Sequence, residues 1–195
     1  MSREYPRTID AGGRPIELRL MSAADRAAVL AFANDLPRHD LLFLRRDITQ
    51  EDAVDRWLAE IDSGLITTLL AGSGEHVVGY ATLHRSDLQW TKHVAELRML
   101  VAGDFRGNGL GRQLTQEIFA IALESGIEKM MARMTTDQKG AISTFEGLGF
   151  RPEALMIDHV KDLDGETHDL VVMSHPVAEF EQTLAAYGVA ENLSS

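Results

Sequence analysis

Val101-Ala102-Gly103-Asp104-Phe105-Arg106-Gly107-Asn108-Gly109-Leu110-Gly111-Arg112 is the point where an apolar run stops, three alternating glycines follow and a helical pattern begins. Glycine lets the backbone turn its N–H groups inward with no Cβ in the way. A helix starting near Gly109 brings its unpaired amides and positive dipole end to the same place. The stretch reads as an anion cradle of diphosphate size. Two nucleotide motifs fail on spelling. A Walker loop needs Lys-Ser or Lys-Thr after its last glycine, and Gly111 is followed by Arg112-Gln113. A dinucleotide fingerprint counted from Gly107 or Gly109 places Arg112 or Leu114 where its third glycine belongs.

Outward from the cradle, His93 to Val101 reads as the strand that enters it, and Leu110, Leu114, Ile118 and Ile121 mark the buried stripe of the helix that leaves it. Upstream, Ile66 to Ala71 and His76 to Arg85 form a hairpin about Gly72-Ser73-Gly74-Glu75. Before that hairpin, a short strand over Ile16 to Leu20 precedes a helix over Ala23 to Leu36 capped by Ser22. A second helix, capped around Thr49 to Asp52, carries Val54, Trp57, Leu58 and Ile61 on one face. Downstream, Lys129 to Thr135 is a strand and Lys139 to Leu148 a short helix closed by Gly149. Ala154 to Lys161 and His168 to His175 are two final strands, and Val177 to Tyr187 is an added amphipathic helix. This order implies an α/β (α+β) fold with a mixed, mostly antiparallel sheet of six to seven strands and helices on both faces. Residues 1–15 read as a polar, loosely held segment, 16–176 as one domain and 177–195 as a terminal helix and tail.

Composition narrows the function classes. A net charge of −11 argues against a non-specific nucleic-acid binder and favours a cationic or amine partner. With no cysteine there are no disulfides or thiolate metal sites, which fits a reducing cytoplasm, and no metal is expected. No apolar run approaches 18 residues and no charged-then-apolar leader opens the chain, so neither membrane spanning nor secretion is expected.

Arg106, Gly109 and Gly111 satisfy the pattern Arg/Gln-x-x-Gly-x-Gly/Ala directly after a strand. At the expected distance, Gln138-Lys139-Gly140-Ala141-Ile142-Ser143-Thr144-Phe145-Glu146-Gly147-Leu148-Gly149-Phe150 matches Asn-x-x-Ala-x-x-x-Tyr-x-x-x-Gly-Phe in most positions. Over roughly Ile16 to Pro176 the chain therefore resembles the GNAT superfamily of acyl-CoA-dependent N-acyltransferases. The resemblance implies acetyl-CoA or another acyl-CoA as co-substrate. Its diphosphate would lie on the amides of Arg106, Gly107, Asn108, Gly109, Leu110, Gly111 and Arg112, with Gln138, Ala141 and Phe145 beside the cofactor. It also implies that the strand entering the cradle splays from its neighbour. Free backbone groups near Met99, Leu100 and Val101 would then pair with the pantetheine, and the N–H of Leu100 or Val101 would polarise the thioester carbonyl.

Transfer to an amine further needs a proton acceptor, because an alkylamine of lysine-like pKa is neutral in only about one in a few thousand molecules at pH 7. Glu96, on the strand before the cradle, is the first candidate, with a surface pairing to Arg98 or Lys92 as its alternative role; His84 and His93 are weaker candidates. Phe145 stands where the family commonly has the tyrosine that protonates the departing thiolate. Expelling an unprotonated thiolate of pKa near 8.5 costs about 2 kcal/mol at neutral pH, which positioning can offset. Ser143, Thr144 or water are the substitutes. The alternative function is a sensor that binds acyl-CoA without transferring it. In the family the acceptor pocket is built from the segment here at Leu36 to Arg46, Trp90 and Met156 to Gly165. Asp40, Asp87, Asp158 and His159 are candidates to meet an ammonium, and Arg45-Arg46 either holds an anionic group or offsets Asp40 and Asp47. The acceptor is a small-molecule amine or a protein amine. The helix after Pro176 packs on the core or on a second copy of the chain.

Overall fold

The computed structural model describes residues 3–41, 44–162 and 164–179. Two strands, β1 (Arg7–Ala11) and β2 (Arg14–Leu20), open the chain. A 3₁₀ turn leads into α1 (Arg26–Asp35), followed by the short α2 (Arg38–Leu41) and by α3 (Glu51–Asp62). Next come β3 (Ile66–Ser73), β4 (His76–Arg85) and β5 (Val94–Val101), then α4 (Leu110–Glu124) and β6 (Lys129–Thr135). The order ends with α5 (Lys139–Gly147), β7 (Arg151–Lys161) and β8 (Thr167–Pro176).

These strands form one sheet in the order β1-β2-β3-β4-β5-β6-β8-β7, parallel only between β5 and β6. The expectation of six to seven strands falls short by β1, which belongs to a segment expected to be loosely held. Ile9 and Ala11 alternate into the core, and the two-residue turn Gly12-Gly13, both at positive φ, closes a hairpin between the paired residues Ala11 and Arg14. The first helix also differs from expectation. Asp25 accepts the Ser22 N–H at 2.9 Å and thereby completes the cap, but the opening turn winds as 3₁₀ before α1 begins. Of the expected terminal helix, Val177 to Glu179 are helical and the remainder lies outside the described residues. Among the described residues no helix is long and apolar enough to cross a membrane.

Helices cover both sheet faces, as the sequence implies. On one face Leu110, Leu114, Ile118 and Phe119 of α4 bury against Leu69, Ala81, Leu83, Ala95 and Leu97, with Phe145 and Phe150 completing the layer. On the other, Val29 and Phe32 of α1 and Val54 and Trp57 of α3 bury against Ile66, Leu70, Tyr80 and Leu100. Trp57 anchors this second core. Its ring stands edge-on to Tyr80 at 5.1 Å, and its indole N–H, the ring's one polar group, donates to Thr68 Oγ1 at 3.0 Å.

Candidate active site

The site begins where one strand pairing ends. β5 is paired with β4 from Ala95 to Val101, whereas its pairing with β6 runs only from Val94↔Lys129 to Glu96↔Met131. From Leu97 onward the β6 side of β5 has no strand partner. Alternation fixes which peptide groups face this opening. The Ala102 N–H donates to Val78 C=O on the β4 side, while the His93 C=O accepts from Glu128 and Lys129 on the β6 side. Leu97, Met99 and Val101 therefore turn N–H and C=O into the opening. Leu100 turns toward β4, where Tyr80 is its register partner and where its carbonyl lies 2.9 Å from the place a Cβ on Gly79 would occupy. Of Leu100 and Val101, Val101 alone turns its N–H into the opening.

The cradle continues from that free strand end. A 3₁₀ turn over Gly103–Phe105 leads to Gly107 at φ +76° and Gly109 at φ +81°, and Gly109 caps α4 from the left-handed region. The first intrahelical bond is Gln113 N–H to Gly109 C=O, so the amides of Leu110, Gly111 and Arg112 have no acceptor within the helix. A Cβ on Gly107 or Gly109 would meet nothing within 4 Å, so the space before these amides is open. Gly111 has a different reason to lack a side chain: its Cβ would press on the Met99 methyl at 3.3 Å. That contact holds the start of α4 against the free end of β5. Leu110 gives its side chain wholly to the core, Asn108 is half-buried and Arg112 is exposed. Arg106 donates through Nε to the Val101 carbonyl at 2.9 Å and through Nη2 to Asp40 at 2.5 Å, tying α2 to the cradle.

Glu96 and Arg98 project from β5 on the face opposite α4. Arg98 Nη2 donates to Glu96 Oε1 at 2.7 Å, and both side chains are largely buried. Glu96 is thus the last residue of β5 paired to β6 and stands at the mouth of the opening. Its register partner across β4 is His84. Burial, helped by the charges of Arg98, Arg45 and Arg46, pushes the His84 imidazole down to about 3, so it is neutral at physiological pH. Arg46 is bound to Glu60 at 2.5 Å and lies over the Trp57 ring.

Several expected site residues have partners within the fold. Phe145 is buried edge-on against Phe150 at 4.9 Å, so the ring at the usual tyrosine position belongs to the core. Gln138 accepts the Thr135 N–H through Oε1 and finishes β6, while Ala141 packs partly on the α4-side core. Ser143 and Thr144 are exposed, with the Thr144 hydroxyl bound to Gly140 C=O. The exposed side chain of His93 sits at the closed end of the β5–β6 pair. Asp40 is taken by Arg106, and Asp158 is occupied in a bulge of β7, bonded to Asp169 and Thr167. Asp87, Trp90 and His159 are exposed. Reasoning from sequence missed the pocket in which Arg45, Arg46, Trp57, Tyr80, His84 and Arg98 converge. Alternation in β4 and β5 put Tyr80, Thr82 and His84 on one face and Glu96 and Arg98 on one face, but only the register shows that these faces coincide.

A model of the acetyltransferase (GNAT) family matches residues 32–150. Among solved structures, a ribosomal-protein-alanine N-acetyltransferase from Brucella melitensis is similar at 25% identity, covering 82% of this chain and 98% of its own, with TM-score 0.73. A putative acetyltransferase from Salmonella typhimurium, solved with its cofactor acetyl-CoA, is 23% identical over 83% and 94% of the two chains, with TM-score 0.72. A spermidine N-acetyltransferase from Vibrio cholerae, in complex with CoA and spermine, is 15% identical over 85% and 97%, with TM-score 0.72. No curated protein matches.

Proposed function

Because the chain belongs to the GNAT acetyltransferase family, we propose that it moves an acetyl group from acetyl-CoA directly onto a primary amine. The observation that carries this reading is the early end of the β5–β6 pairing at Glu96↔Met131, next to a helix N-terminus with open space before its amides. The presence of acetyl-CoA or CoA in structures of similar fold supports the choice of co-substrate.

The amides of Gly107 through Arg112 hold a diphosphate, aided by the helix dipole and by Arg112. The free peptide groups of Leu97 and Met99 offer an extended ligand the hydrogen bonds that β6 does not use. When bound, acetyl-CoA supplies an electrophilic thioester carbonyl. The Val101 N–H donates to that carbonyl oxygen and favours the charge that grows on it as the amine nitrogen forms its bond to the acyl carbon. Glu96, oriented by Arg98, takes the ammonium proton through water. The C–S bond breaks and the sulfur leaves with its electron pair. Since the Phe145 ring is packed into the core, water protonates the thiolate.

Thiol release from acetyl-CoA with a panel of amines tests the proposal. Release above background for at least one amine, together with calorimetric CoA binding that is lost in Gly109→Asp, is the expected result. CoA bound with no thiol released for any amine identifies the binding-only sensor instead. The absence of cysteine fits work in a reducing cytoplasm.

A further inference from the structure

On the face of β4 and β5 opposite α4, a pocket lies between the sheet, α3 and the segment 44–48. About 20 Å³ of it is open to a water-sized group, so it seats one polar end of a ligand rather than a whole acceptor. Its walls carry three guanidinium groups, Arg45, Arg46 and Arg98, and a histidine that has no charge at neutral pH; two carboxylates stand behind them, Glu60 on Arg46 and Glu96 on Arg98. One cation is in excess. Arg46 is satisfied by Glu60 and by the Trp57 ring. Arg45 makes no ion pair or hydrogen bond with another described residue. Arg98 uses Nη2 on Glu96, but its Nε is buried with no acceptor. A buried guanidinium N–H without an acceptor is costly, and an anionic oxygen set against the pocket side of the same guanidinium offsets that cost through its charge.

We infer that the acceptor amine carries an anionic oxyacid group, a carboxylate or a phosphate, seated by Arg98 and Arg45 and excluding polyamines. This rests on the acetyl transfer proposed above. Arg98 precedes Val101 by three residues, about 10 Å along the strand, a span that the Arg98 side chain and a small acceptor cover together. A second ammonium on the acceptor would instead face the uncompensated guanidiniums. The exposed Asp87 and His159 lie outside this pocket, and Asp40 is held by Arg106; no carboxylate is among the described residues that line it.

The test is thiol release with matched acceptors: the common amino acids against their decarboxylated amines, O-phosphoethanolamine against ethanolamine, and spermidine. At least tenfold higher kcat/KM for an anionic acceptor than for its neutral counterpart is expected, and the two pairs tell carboxylate from phosphate. Arg98→Gln and Arg45→Gln should each raise KM for that acceptor about tenfold. Arg98→Lys should recover part of the loss, and calorimetric CoA affinity should stay put. Arg45→Gln, on an exposed loop residue, keeps the test valid if Arg98→Gln fails to fold or disturbs Glu96. Decarboxylated amines or spermidine used as well as their anionic counterparts would overturn the inference while leaving acetyl transfer intact. If CoA binds and no amine releases thiol, transfer fails. The pocket is then judged by NMR titration of His84 with glycine or inorganic phosphate present. An imidazole pKa that rises with either anion retains the anion site, and one that does not move removes it.

Discussion

The cradle after β5 and the pocket above β4 and β5 both present hydrogen-bond donors, but they are built in opposite ways. The cradle is local: nearly all of its donors are peptide N–H groups within Gly107 to Arg112, supplied by two left-handed glycines and one helix start. The pocket draws side chains from the segment 44–48, α3, β4 and β5, residues separated by up to 54 positions. Backbone donors hold a ligand whatever the neighbouring side chains are, provided no Cβ intrudes. Side-chain donors must be brought into register, and their charges must be balanced, before they discriminate anything. Under the proposed acetyl transfer, the cradle therefore serves the fixed co-substrate and the pocket the choice among acceptors.

Four perturbations separate these two designs. The largest effect is expected for Glu96→Gln, which keeps size but removes the proposed proton acceptor at the boundary between them. We expect kcat to fall about 10²- to 10⁴-fold with CoA affinity unchanged; stopped thiol-release kinetics and calorimetry read the two numbers, and an unaltered kcat across pH 6 to 9 removes Glu96 from the mechanism. Gly109→Asp follows, with about a hundredfold loss of CoA affinity. It sets a carboxylate before the amides and forces a side chain into the left-handed region, a strain of about 1 kcal/mol visible as a modest drop in Tm. Retained affinity would show that the diphosphate lies elsewhere.

The third perturbation is acid. His84 has its folded pKa pushed to about 3, below its unfolded value near 6.5, by burial and by Arg98, Arg45 and Arg46. Between those values the unfolded chain binds the proton and the folded one does not, so stability is full above pH 6.5 and declines as pH falls toward 3. The expected slope is about 1.4 kcal/mol per pH unit, and Gln at position 84 should flatten it in urea titrations. The smallest effect on rate is expected for Phe145→Tyr. Its ring is packed on Phe150, so kcat should stay within about twofold while Tm falls through burial of an unpaired hydroxyl. A tenfold gain in kcat would mean that position 145 reaches the leaving thiolate after all.

How much could be read in advance follows the same division. β6 was legible to the residue as Lys129–Thr135, and α5, the β3–β4 hairpin and the start of α4 were within a few positions, because periodicity and turn residues act over short stretches. β1 was missed although Gly12-Gly13 marks a two-residue hairpin turn, since five residues of mixed polarity look loose until a neighbour pairs with them. Phe145 was placed beside the co-substrate because its motif position is shared with a tyrosine. The direction in which its ring points depends on Phe150 and on α4, which a motif does not encode. Asp40 looked available to an ammonium until the fold brought Arg106 to it across 66 positions.

The sequence by itself determined the cradle, since positive φ at Gly107 and Gly109 and the amides of a helix start are properties of adjacent residues. The early end of the β5–β6 pairing, the turning of Val101 rather than Leu100 into the opening, and the meeting of Arg45, Arg46, His84 and Arg98 were decided only by tertiary structure. They depend on strand register and on packing between distant segments, where a shift of one residue reverses every direction.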